Sequence, residues 1–486
     1  MKKIILILAI ALAYSSQLWS QNEVDALRYS KTTFGGTARY MSMGGAFTAL
    51  GADFSALSSN PGGIGLYKKS EISFTPSLFF SMTSSDYKGS STIDRKGNLN
   101  ISNVGVVFVT KPEKSNSSAL KYFQFGIGLN RINNFNRRTI IEGENQGTSI
   151  VDTYVNDANG IPYQDIEDDP DGFYAYDLNL AWWTYMIDTL PGYTNLYYSS
   201  VPQGTTKLQR KEILSWGSTN EFSLAFGANL SNRIYLGGSL GFPYIRYFEK
   251  DRYTEKDLND QIDDFNEINI TDELITKGGG FNLKFGMIFH ATNWLRIGGA
   301  IHSPTWYNNL SDEYLARITT DFDNGDHFTS ESPYGYYDYN LETPWRAIGG
   351  ISFIIAKTAL LSGEYEYIDY SSARFRGAEY SFDIENSAIS NVYGATQNIR
   401  VGAEYRIGNF ALRGGYAMYG SPFHSNLNDG QVNYITGGFG FREKNFFIDL
   451  AYVRSDSDED YYLYYNEKAR NHLTSNNFLI TVGFRY

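Results

Sequence analysis

The sequence predicts an all-β protein, a transmembrane antiparallel β-barrel of 14 strands with an N-terminal hatch (plug) inside its lumen. Three observations carry that prediction. The chain begins with an export signal and is rich in Tyr, Phe and Gly while lacking Cys. Its later segments alternate apolar and polar residues with period two. The connections between those segments alternate between short and long.

The first 20 residues of "MKKIILILAIALAYSSQLWSQ" read as a signal peptide, with two lysines, an apolar run from Ile4 to Ala13 and a small residue at Ser20. Cleavage is expected between Ser20 and Gln21. The apolar run is too short to span about 30 Å of hydrocarbon. Zero cysteines exclude disulfides, thiolate metal sites and a lipid-modified N-terminal Cys. Lys plus Arg number 41 against 53 Asp plus Glu; loss of Lys2 and Lys3 takes the net charge from −12 to −14. That acidity gives no basis for nucleic-acid binding.

No later apolar run reaches the roughly 20 residues of a membrane helix. Aromatics nevertheless make up 16% of the chain, with 39 Tyr, 32 Phe and 47 Gly, the composition of a barrel whose strand signal alternates. In "NNFLITVGFRY", Phe478, Ile480, Val482, Phe484 and Tyr486 share one face, and Leu479, Thr481, Gly483 and Arg485 the other. "NIRVGAEYRI", "NFALRGGYAMY" and "NEFSLAFGANL" repeat the pattern, with glycines recurring on the charged face. A soluble sandwich would bury the apolar face; a barrel turns it outward to lipid.

Strand runs start near Glu71, Asn98, Leu120, Gly217, Arg233, Lys277, Trp294, Glu342, Thr358, Asn398, Phe410, Gln431, Phe446 and Leu473, an even number as bacterial barrels require. Short links such as "SN", "TN", "AK", "GN" and "EKN" alternate with long polar ones at 85–97, 142–213, 249–275, 321–340, 377–393, 423–430 and 460–472. A sandwich has no reason to sort loop lengths by parity. If Gly408 and Asn409 make a two-residue turn, Glu404 faces Arg413 across the strands, and the turn alone predicts an inward ion pair. Arg346, Glu364, Glu366, Arg400, Arg406, Asp449 and Arg485 also fall on the inward face.

The organisation that follows is a signal at 1–20, a hatch at 21–70 and a barrel at 71–486, with 142–213 as the longest outer loop. The hatch contains "ARYMSMGGAFTALGADFSALSSNPGGIGL" (38–66), a poor strand and a poor helix. Irregular backbone in lipid would leave polar groups unsatisfied at several kcal/mol each, so the segment belongs in the lumen. Its small residues permit close approach to the wall, and Asn60-Pro61-Gly62-Gly63 marks a tight turn. Met41, Met43, Phe47, Leu50, Phe54 and Leu57 are expected to be buried, and Arg39 and Asp53 to meet wall charges.

This stretch resembles the hatch of the FadL/TodX family of outer-membrane transporters for long-chain fatty acids and other hydrophobic compounds. That family has an Asn-Pro-Ala turn; Asn60 and Pro61 match it and Gly62 stands in place of Ala. "VGAEYRIGNFALRGGYAMYGSPF" and "GGFGFREKNFFIDLAYV" are similar to the family's C-terminal strands, and "IHSPTWY" to its mid-barrel Ser-Pro. The resemblance implies a bacterial outer-membrane channel in which the hatch blocks the lumen, ligand enters from outside and a kinked wall strand opens laterally.

The expected partners are a hydrophobic small molecule, outer-membrane lipid and lipopolysaccharide, and the outer-membrane assembly machinery. Ligand-binding candidates are Phe47, Phe54 and Leu57 in the hatch; Trp182, Trp183, Tyr185 and Met186 in the long loop, as an apolar groove or a self-packed cap; and Arg400, Arg406 and Arg413 for a carboxylate headgroup. Each buried methylene adds about 0.8 kcal/mol, enough for a long acyl chain to reach micromolar affinity after ordering costs. No cofactor, metal or catalytic site is expected. The five histidines have no ligand spacing, "DIEDDPDGF" lacks the first Asp and last Glu of a calcium loop, and His472 with Ser475 lacks a third member. A general or polar-solute porin and a structural or adhesive surface protein are the rival readings.

Overall fold

A computed structural model describes residues 22–113, 119–356, 358–377, 380–424 and 427–486; the signal-peptide reading lies outside the described residues. Two short helices come first, α1 (Glu23–Ser30) and α2 (Ala38–Met41), followed by 3₁₀ turns at Phe54–Ser58 and Pro61–Leu66. The wall then comprises β1 (Glu71–Tyr87), β2 (Ser90–Thr110), β3 (Leu120–Asn134, continuing as Arg137–Asn145), β4 (Lys207–Leu230), β5 (Ile234–Lys256), β6 (Glu267–His290) and β7 (Leu295–His302, continuing as Trp306–Asp321). It continues as β8 (Gly335–Glu342, then Arg346–Ile355), β9 (Ala359–Asp369), β10 (Ala395–Ile407), β11 (Phe410–Tyr419), β12 (Val432–Glu443), β13 (Phe446–Tyr464) and β14 (Glu467–Arg485).

Each strand pairs antiparallel with its sequence neighbour, and β14 pairs with β1 from Glu71–Arg485 to Asp86–Arg470, closing the cylinder at 14 strands. Closure matters because an open edge in hydrocarbon would leave a row of unpaired amides. The apolar residues face out. Phe74, Phe285 and Ile480 are 45%, 64% and 48% exposed, while their inward neighbours Ser73, Thr75 and Thr481 are buried. That inversion of a soluble core is the lipid-facing band of a membrane barrel. Among the described residues no helix is long and apolar enough to cross a membrane.

The predicted register holds at the Gly408–Asn409 turn: Ile407 pairs Phe410 and Glu404 pairs Arg413. Several segments expected to be loops are strand instead. Residues 85–97 continue β1 and β2 to a turn at Lys88–Gly89, and 460–472 continue β13 and β14 to a turn at Tyr465–Asn466. These extensions lack an apolar face because they stand beyond the lipid band. β4 and β6 likewise start earlier than expected, at Lys207 and Glu267. The 321–340 connection contains a hairpin strand at His327–Glu331, and 377–393 contains a helix, Asp383–Val392.

The link between β3 and β4 folds into a small cap of three helices, α3 (Val151–Ala158), α4 (Tyr163–Glu167) and α5 (Leu178–Trp183), and a hairpin pairing Ile187–Thr189 with Tyr197–Ser199. Leu178, Leu180, Met186 and Ile187 pack with Tyr253, Ile270 and Tyr314 of the upper wall. Buried Glu255 of β5 fastens the cap's start, accepting from the Ser149 hydroxyl and from the Ile150 amide at 2.8 Å.

Candidate ligand path

Residues 22–70 pack against the inward face of the wall, and two features of the sequence explain the fit. The first is local. Asn60 starts the Pro61–Leu66 turn by accepting from the Gly62 amide at 2.9 Å, and Pro61 sits at the first helical position, where no amide is needed. Asp53 starts the preceding turn by accepting from Ser55 N at 3.0 Å and also holds the Thr37 hydroxyl at 2.8 Å.

The second feature is the glycines on the charged face of the strands. A Cβ at Gly105 would lie 2.4 Å from the Phe54 ring, at Gly237 2.1 Å from Pro61 O, and at Gly286 1.9 Å from Asn60 Oδ1. Added at Gly298 it would lie 2.0 Å from Thr48 O, and at Gly402 2.4 Å from Met43 O. These glycines sit on β2, β5, β6, β7 and β10, so the recess runs around much of the barrel. The contact also accounts for Gly62 where the family has Ala: a Cβ there would meet the Gly286 carbonyl carbon and Met287 Cα at 2.9 Å.

Hydrogen bonds within the segment and to the wall tie it down. Asn60 Nδ2 donates to Thr48 O at 2.6 Å and to Met287 O of β6 at 3.0 Å. Glu364 accepts from the Phe47 and Thr48 amides at 3.1 and 2.9 Å. Arg39 reaches Glu404 at 3.3 Å, Ala38 N donates to Thr481 at 2.7 Å, and His302 Nε2 lies 2.8 Å from Ser59 O. Asp53 bonds within the segment rather than to the wall. Met41, Met43, Phe47, Leu50, Phe54 and Leu57 are all buried.

Two charge clusters underlie these bonds. In one, Glu404 is shared by Arg39, Arg406 and Arg413, and Arg413 also holds Asp449 at 2.6 Å. In the other, Arg400 bridges Glu364 and Glu366, with Arg346 3.7 Å from Glu366. A third pair, Glu221–Lys284, lies across from them. Between the pairs and the N-terminal segment is a polar cavity of about 70 Å³, touched by Tyr29, Thr33, Asn282, His302, Glu366 and Arg400. It has room for a few waters.

The wall parts at one place near this cavity. β2 and β3 pair only from Thr110–Phe123 to Asn103–Asn130. Beyond that β3 bends between Asn134 and Arg137, beside Gly217 at φ 115°. The N-terminal segment fills the breach: Thr33 N donates to Ile132 O at 2.9 Å, Asn133 donates to Lys31 O, and Gly36 bonds Ser102.

The other residues singled out from sequence are placed as follows. Phe47 packs on Tyr40 and lies 5.1 Å under the Arg39 guanidinium; Phe54 and Leu57 press into the recess at Gly105, Gly126 and Gly128. Trp182 stacks on Tyr163 at 5.2 Å and Met186 is buried in the cap core, whereas Trp183 and Tyr185 are 49% and 52% exposed. Arg400, Arg406 and Arg413 are all held by carboxylates. Within 165–173, Asp169 accepts from Tyr174 N at 2.8 Å. Asn282, His302 and Glu221 were missed, since an isolated polar residue in an alternating strand carries no signal beyond its face.

No family model and no curated relative matches the sequence. Among solved structures, the toluene transporter TodX of Pseudomonas putida aligns over 93% of this chain and 99% of its own, at 11% identity and TM-score 0.55. A Pseudomonas aeruginosa FadL homologue aligns over 93% and 98%, at 12% identity and TM-score 0.55. The chain has the fold of these barrels.

Proposed function

We propose that this protein is an outer-membrane channel for passive uptake of hydrophobic small molecules, fatty-acid-like or aromatic, with residues 22–70 acting as the hatch that gates it. The single observation that carries the reading is the fit of that segment into the glycine recess. A wall that gives up side chains around much of its circumference to seat one segment is built to be blocked by it. The fold shared with a toluene transporter and a FadL homologue supports the hydrophobic substrate class. The packed interior and the small polar cavity argue against a general porin, which keeps a wet path open. The cap, with Trp183 and Tyr185 exposed beside its packed core, is the surface where apolar solute first meets the protein.

No energy source is required, because the gradient of solute supplies the direction. The test is uptake of a fluorescent dodecanoate and of toluene by cells carrying the protein, beside single-channel recording. Uptake above control cells with a quiet bilayer is expected. Steady large openings of the intact protein, or no uptake of either probe, would remove the reading.

A further inference from the structure

On β5 and β6 the outer face of the wall turns from apolar to charged at one height, on the side that carries the cap. Outward residues of β5 run from Leu240, Phe242 and Tyr244 to Arg246, Phe248, Lys250 and Arg252, and those of β6 from Phe281 to Lys277, Ile275 and Glu273. Trp216 of β4 stacks on Phe248, ring centroids 5.3 Å apart, as in the aromatic belt that marks the edge of the hydrocarbon. At that edge Arg246 and Lys277 stand directly opposite each other. Like charges so placed repel, and their surroundings relieve them only in part. On its β4 side Arg246 faces Ser218, and its guanidinium lies 5.7 Å from the Phe248 ring with no carboxylate partner among the described residues. Lys277 has Glu313 of β7 at 3.1 Å. Further out, Lys250 holds Glu273 at 2.5 Å, while exposed Arg252 again has no carboxylate partner among the described residues. By contrast Arg138 on β3 and Arg210 on β4 are each held by a glutamate, and Arg454 on β13 by Asp456. The β5–β6 strip therefore carries unmatched positive charge on an otherwise acidic chain.

Directly below the two cations, on the lipid side, is an open, mainly apolar groove of about 440 Å³, walled by Phe242, Tyr244 and Phe281, with Asn308 at its edge. Tyr244 is two residues from Arg246, about 7 Å along the strand. A hydrocarbon chain in the groove and an anionic head between Arg246 and Lys277 thus fall within the reach of one lipid molecule.

We propose that this strip is a binding site for a phosphorylated glycolipid of the lipid A type, with a phosphate between Arg246 and Lys277 and one acyl chain in the groove. The cap and the long connections mark the external side of a barrel, so the lipid is one of the outer leaflet. A phosphomonoester carries close to two negative charges, against one for the diester of an ordinary phospholipid, and so offsets both facing cations. The site lies on the exterior of the wall and is independent of what crosses the lumen.

Native mass spectrometry of the detergent-purified protein, titrated with bisphosphorylated lipid A, with its dephosphorylated form and with phosphatidylethanolamine, tests the site. The wild type should bind phosphorylated lipid A most tightly. Arg246→Gln/Lys277→Gln should lose about thirtyfold in affinity for it, as expected for two cations, and nothing for the dephosphorylated form. Arg454→Gln, at a cation already held by Asp456, should match the wild type, and Phe281→Ala should weaken both forms of lipid A by the same factor. Heat-modifiable migration on gels shows that each variant is folded. Rising salt gives a second reading on the wild type alone: it should weaken the phosphorylated form and leave the dephosphorylated one unchanged. Equal affinity of the wild type for the two forms, or unchanged affinity in the folded double variant, would overturn the proposal. So would tighter binding of phosphatidylethanolamine, which would make the occupant an ordinary phospholipid, or displacement of the lipid by millimolar inorganic phosphate, which would make it a free anion.

Discussion

Replacing Asn60 by Ala tests the seating of the hatch at its tightest point. The side chain is fully buried and makes three bonds, to Thr48 O, Met287 O and Gly62 N. Only the bond to Met287 O reaches the wall, so its loss weakens docking by about 1 kcal/mol net, more if that carbonyl stays dry, while loss of the other two loosens the segment itself. That corresponds to a shift of about fivefold towards the undocked segment. The barrel's own ladder is untouched, so heat-modifiable migration on gels should match the wild type. Planar-bilayer recordings should show frequent openings, and cells should become sensitive to a bulky antibiotic such as vancomycin. A folded variant with wild-type conductance and wild-type resistance would refute the reasoning, because Asn60 would then not hold the elbow closed.

Pro61→Ala, or deletion of Asn60 to Gly63, should lower uptake of hydrophobic probe while the barrel still folds, read by uptake beside gel migration. Arg413→Met should strand Asp449 in the interior, Glu404 keeping Arg39 and Arg406, and cost about 3–5 kcal/mol, seen as a lower temperature of barrel unfolding on heated gels. Gly402→Val should displace Met43 and raise protease access to residues 38–50 in detergent, the wall remaining protected. Burial pushes the Asp177 carboxyl in the cap up to about 6. A pKa raised above its unfolded value near 3.8 stabilises the cap fully below that pH, and the contribution fades as pH rises through 6. Proteolysis of 146–206 should therefore be faster at pH 7.5 than at pH 5, and Asp177→Asn, which keeps an acceptor for Leu178 N, should slow it at pH 7.5 and flatten the dependence.

The sequence by itself determined the barrel, its inward and outward faces and the Glu404–Arg413 pair. A strand has only two faces and a two-residue turn only one register, so local pattern suffices there. It also set residues 38–66 apart from the wall strands, because small residues without periodicity have no place in lipid. The length of the extramembrane strands was not legible, since polar alternation looks the same in a loop. Only the tertiary structure decided which glycine receives which residue of the N-terminal segment, that Arg400 and Arg413 are already neutralised, and that the breaks at Pro304 in β7 and Pro344 in β8 fall side by side. Those facts depend on contacts between residues hundreds of positions apart, which closing the cylinder brings together and no local pattern records.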